Sequence, residues 1–171
     1  MTRLIAVCLL ALFTAFAAPA VDQSPELARL NHYVGAWDGT ISSMPGAKIR
    51  INCEWISGGA ILRHTLTIDP GNGAPPVKIV QLMSYDTAKG IYRVQSFYPD
   101  DSSAQGEGTW DAATGTFAWT TRDEVRGMTV VTKVSFPDAD TEVTATQIRN
   151  RDGEVVGESR GTKKRRKANT E

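Results

Sequence analysis

The chain has 171 residues, with 19 basic and 19 acidic side chains, and 41% of it is hydrophobic. That length is about one domain and can bury a real core, so stability does not require a disulfide framework. Its two cysteines are Cys8, in an apolar leader, and Cys53, in the body of the chain. Once the leader is removed, no intramolecular disulfide can form.

Residues 1–20 read as a cleavable signal peptide. Arg3 supplies the positive n-region, Leu4 to Phe16 the apolar run, and Ala18-Pro19-Ala20 the small-x-small site, with cleavage after Ala20. The run is shorter than the ~18 residues that span a bilayer, so no transmembrane segment is expected after cleavage. Cys8 follows Val7 inside that run, where a lipobox would need a small residue. Secretion or a periplasmic location follows, and nucleic-acid binding conflicts with it. The basic run Lys163, Lys164, Arg165, Arg166 and Lys167 stands against a net −5 over residues 21–162. Residues 163–171 read as a solvated, disordered tail, or more sharply as a patch for an anionic surface.

Ser24-Pro25-Glu26 is a helix start, with an N-cap hydroxyl, proline at the first position and an early acid. Leu27, Leu30 and Val34 recur at helical spacing, so a short helix is expected over about 24–33. From residue 34 onward the pattern is β. Ile49, Ile51, Cys53 and Trp55 alternate with Lys48, Arg50, Asn52 and Glu54; after Ser57-Gly58-Gly59, Leu62, His64, Leu66 and Ile68 share a face. A Pro/Gly-rich loop spans 69–76. Further strands are expected over 77–85, 91–98, 104–110, 116–122, 127–136, 141–149 and 154–162. About ten strands separated by short turns make an all-β, antiparallel up-and-down meander, and one this long must curl or close.

The segment Leu30-x-x-x-Val34-Gly35-Ala36-Trp37-Asp38-Gly39, with a short helix before it and antiparallel β sequence behind it, resembles the opening of the calycin superfamily of lipocalin-like barrels. Within that group the chain resembles the secreted bacterial DUF1579 proteins of unknown function. Pro45-Gly46 and Gly58-Gly59 also fit their pattern. The resemblance covers residues 27–162 of a barrel domain placed at 21–162. It implies that Trp37 is structural, plugging the closed end of the barrel, with a basic residue across its ring. Arg160 is the first candidate for that partner and Arg149 the second. Gly35 would let the backbone turn from helix to strand where a side chain would obstruct it.

Period two points Trp55, His64, Gln81 and Trp119 inward. For strands 91–98 and 104–110 either register fits. One of them adds Arg93 and Glu107 to an interior suited to a small apolar or amphipathic ligand with one polar end. Cys53 reads as an inert core thiol. His32 and His64 are too few for a histidine-based zinc site, and no cofactor motif is present. Haem-binding nitrobindin-like barrels share the opening but carry an axial histidine near the chain's end, and no histidine follows His64. Gly157-Glu158-Ser159-Arg160-Gly161 matches a nucleophile pattern but lies on a terminal strand with both histidines before it, so no catalytic residue is assigned. Asp138, Asp140 and Glu142 read as a polar hairpin tip rather than a cation loop. The leading expectation is therefore a ligand-binding barrel. Its alternatives are an envelope interaction module with a filled barrel, suggested by the basic tail and the 69–76 loop, and an enzyme built on His64 with Glu107.

Overall fold

The computed structural model describes residues 23–167. The expected leader and cleavage position, Cys8 and residues 168–171 lie outside them. The Ser24 hydroxyl accepts the Leu27 backbone N–H at 3.2 Å and so caps α1, Pro25–Ala28. The chain then tightens into a 3-10 turn over Arg29–His32. Ten strands follow: β1 Gly35–Ile41, β2 Lys48–Ile56, β3 Ile61–Asp69, β4 Val77–Asp86, β5 Ile91–Phe97, β6 Ser103–Asp111, β7 Thr116–Asp123, β8 Met128–Asp138, β9 Thr141–Arg149 and β10 Val155–Arg165.

Each strand pairs antiparallel with its chain neighbours, and β1 also pairs with β10, closing the barrel. Closure removes the two unpaired edges that an open ten-stranded sheet would expose. Several hairpins turn on an Asx residue that accepts a backbone N–H two positions on: Asp86 from Ala88, Asp111 from Ala113, Asp138 from Asp140 and Asn150 from Asp152. Pairing Cys53 with His64 and Trp55 with Leu62 keeps the apolar parity of β2 and β3 on one face.

α1 and the 3-10 turn lie across one end of the barrel and bury Leu30 and Tyr33. The Trp55 indole N–H donates to Asn31 at 2.7 Å, and the Tyr92 hydroxyl donates to the Glu26 carbonyl at 2.8 Å. Trp37, fully buried, donates its indole N–H to the Tyr33 carbonyl at 2.8 Å. Its ring carries the Arg165 guanidinium, 4.1 Å from the centroid. The same guanidinium donates to the carbonyls of Val34, His32 and Ala139.

The cation over Trp37 is therefore Arg165, and the expectation for Arg160 is corrected. Inward positions on β10 are odd-numbered, and Arg165 stands directly opposite Trp37, whereas Arg160 points outward and is exposed. Placing the strand end at Thr162 hid this, because β10 continues to Arg165. Lys163, Lys164 and Arg165 of the basic run are therefore barrel wall rather than the start of a disordered tail. Beyond the strand, Arg166 pairs with Asp38 at 2.9 Å. Gly35 is required on two counts: its φ is +121°, and a Cβ there would sit 2.6 Å from Arg165 Nη1.

Arg165→Ala is expected to destabilise the protein by about 2 kcal/mol through the lost stack and unpaired carbonyls. Arg160→Ala should stay within about 0.5 kcal/mol of the parent. Urea unfolding of the two variants checks this, and the reverse ranking would refute the assignment.

Candidate functional site

Parity brings Ile49 and Ile51 from β2, Leu66 and Ile68 from β3, Met83 from β4 and Val94 from β5 to one wall of the interior. The opposite wall, from β7 to β9, is lined with hydroxyls: Thr121, Thr132, Thr144 and Thr146. Thr132 and Thr146 hydrogen-bond across the β8–β9 pair at 3.1 Å. Between these walls lies a cavity of about 220 Å³. Toward α1 an aromatic cluster stops it: Tyr33, Tyr92, Phe117 and Trp119 pack with ring centroids 5.1–6.1 Å apart. Gly108 makes room for this cluster, since a Cβ there would meet the Trp119 ring at 2.5 Å. At the opposite end Ile41, Ile68 and Thr146 keep partial exposure.

The floor of the cavity is polar. Lys163 on β10 and Glu142 on β9 stand directly opposite each other and form an ion pair, with side chains only 9% and 3% exposed. Across the barrel, His64 is 6% exposed, and its Nδ1 is enclosed without a hydrogen-bond partner among the described residues. Tyr33 accepts the Trp119 indole N–H at 3.0 Å, and its ring meets His64 edge-on at 6.4 Å. Gln81 donates to the Ser96 hydroxyl at 3.0 Å.

Burial, then the nearby Lys163 charge, pushes His64 down to about 3, so the imidazole is neutral at ordinary pH. Burial, then Glu142, raises the Tyr33 phenol well above its usual value. The same two causes, in that order, push the Cys53 thiol up to about 12, which makes it an unreactive core group. Among the described residues no group of three or more His, Cys, Asp or Glu is placed to hold a metal ion. No described helix is long and apolar enough to cross a membrane.

His64, Gln81 and Trp119 thus meet at the cavity, while three expected site residues do not. Trp55 faces inward but belongs to the closed end, tied to Asn31 and outside the cavity lining. Arg93 and Glu107 point outward, correcting the register that placed them inside. On β5 the buried residues are Tyr92, Val94 and Ser96. Arg93 instead binds Asp86 at 2.7 Å and lies 3.6 Å from Glu107 on the exposed face. The physical reason is desolvation: two charges in direct cross-strand register are hydrated outside, whereas inside they would require further partners. A His64–Glu107 acid–base pair is excluded with them.

The sequence reading missed Glu142 and Lys163. Glu142 was grouped with the acidic hairpin tip, and Lys163 with the tail. The available signal was an opposite-charge pair in cross-strand register on the inward parity of Gly161 and Thr144.

No protein-family model matches the chain, and no curated protein matches it. Among solved structures it resembles Rv2717c from M. tuberculosis, with a TM-score of 0.65 at 12% identity, covering 85% of this chain and 100% of that one. It also resembles the S-type phycobiliprotein lyase CPES from Guillardia theta, with a TM-score of 0.60 at 14% identity, covering 86% and 95% respectively. These likenesses show a shared lipocalin-like barrel fold.

Two measurements check the site. Lys163→Met should cost about 3–5 kcal/mol because it strands a buried carboxylate, and adding Glu142→Gln should recover a large part of that loss. Additive losses in a double-mutant cycle would contradict the pair. His64 has a lower pKa folded than unfolded, so the unfolded chain takes up its proton first as pH falls. Its contribution is complete above pH ~6.5 and is lost toward pH 3, by about 1.4 kcal/mol per unit. The fall in stability between pH 6 and 4 should therefore be shallower by that amount in His64→Gln.

Proposed function

We propose that this chain is a secreted or periplasmic barrel of the DUF1579 kind that holds a small amphipathic molecule in its interior. The observation that carries the reading is the cavity of about 220 Å³ left after the aromatic cluster has packed. Protein interiors leave few voids larger than a water, and an engineered apolar cavity of roughly 150 Å³ suffices to bind benzene. The volume lies below the ~300–1,000 Å³ of pockets for drug-sized ligands, so it suits one ring or a short alkyl chain and not a tetrapyrrole. A barrel of the same fold serving as a phycobiliprotein lyase is consistent with a binding interior.

The polar floor gives such a molecule an orientation, with its head toward His64 and Lys163 and its apolar part toward the rim at Ile41 and Ile68. The cavity counts against a filled barrel. Of the basic run, only Lys164, Arg166 and Lys167 are exposed, so an anionic surface contact has no part in this reading.

Native mass spectrometry of protein prepared without detergent should show an added small mass. Thr132→Phe, which fills the cavity from the hydroxyl wall, should abolish that mass while the protein remains folded by circular dichroism. An identical mass in Thr132→Phe would place the molecule outside the barrel and overturn the reading.

A further inference from the structure

The floor of the cavity has an unusual balance of charge and hydrogen bonds. Lys163 and Glu142 cancel, and the other titratable groups facing them, His64, Tyr33 and Cys53, carry no charge there. Net charge at the floor is therefore zero. The hydrogen bonds are nevertheless incomplete. An ammonium has three donors, and among the described residues Lys163 places one on Glu142. Tyr33 accepts from Trp119, and its own proton has no described acceptor. His64 makes no side-chain hydrogen bond with a described residue, although it is enclosed.

From this we infer that the cavity selects an uncharged head group that both accepts and donates hydrogen bonds, such as a carboxamide or a hydroxyl, over a carboxylate of the same shape. The inference rests on the interior-binding reading above. A neutral carbonyl or hydroxyl oxygen takes the spare Lys163 and Tyr33 donors, and its N–H or O–H meets an acceptor on His64 or the second oxygen of Glu142. A carboxylate satisfies the donors equally well but brings a net negative charge into an enclosed site beside Glu142. Nothing in the floor offsets that charge, because Lys163 is already neutralised.

Two isosteric probe pairs decide the matter: octanamide against octanoate, and benzamide against benzoate. Each is titrated at pH 7 into the wild-type chain and followed by calorimetry and by intrinsic tryptophan fluorescence, to which Trp119 at the cavity contributes. Each amide should bind at least about tenfold more tightly than its carboxylate. Glu142→Gln leaves Lys163 unpaired and should reverse the order in favour of the carboxylates. Equal binding, or tighter binding of the carboxylates by the wild type, overturns the inference and leaves the binding reading standing. Binding of neither member of either pair overturns both. If Glu142→Gln does not fold, the wild-type comparison alone decides the outcome.

Discussion

The guanidinium of Arg165 is the contact on which the rest of the architecture depends. It lies on the last strand, stacks on the Trp37 ring of the first, and binds three carbonyls, two of them from the segment that enters the barrel. One side chain therefore joins the seam where β1 meets β10 to the plug that seals one end. A buried indole and the carbonyls at the end of a short 3-10 turn both need partners, since a helix this short satisfies few of its own backbone groups. A planar cation with five donors suits both needs at once, which a lysine could not do in the same geometry. Gly35 is the reciprocal requirement, because any side chain there would occupy the space the guanidinium takes.

Sealing one end gives the barrel a direction. The aromatic cluster of Tyr33, Tyr92, Phe117 and Trp119 fills the layer above the plug, and among the described residues the other end has only the single Tyr98 ring under Arg126 rather than a cluster. The remaining interior is therefore asymmetric: a polar floor at His64, Glu142 and Lys163, then walls of aliphatic and threonine side chains, then a partly exposed rim. Burying an ion pair costs desolvation that its own attraction barely returns. A barrel that only needed to fold would gain as much from two apolar residues at those positions. The pair stands instead at the base of a cavity that is also lined by His64, whose Nδ1 has no hydrogen-bond partner among the described residues.

How far the pattern could be read differs strand by strand. β2 and β3 are strictly alternating, and their inward faces, with His64 opposite Cys53, follow from period two alone. β5 and β6 are not. On β5 both parities carry a large side chain, and on β6 the inward positions include two glycines: Gly108 is small because the Trp119 ring needs the space, and Gly106 because β7 backbone and the Thr121 hydroxyl approach it. Hydrophobicity there carries no signal, and Arg93 and Glu107 looked as inward as their neighbours. β10 misled for another reason. Five consecutive basic residues read as solvated sequence, yet strand parity sends Lys163 and Arg165 inside and leaves Lys164 and Arg166 outside.

What the sequence determined by itself was the kind of object: a capped turn of helix, ten strands cut by Asx and glycine turns, and a Gly-x-Trp at the entrance to the barrel. Those features are local, set by backbone sterics, capping hydrogen bonds and the two-residue period, and they need no knowledge of distant neighbours. The tertiary structure decided the partner of Trp37, the burial of Lys163 against Glu142 and the exclusion of Arg93 and Glu107. It also left a cavity of about 220 Å³ inside the barrel. Each of these depends on closure, which brings strands far apart in the chain into register and settles whether a charge meets water or its opposite.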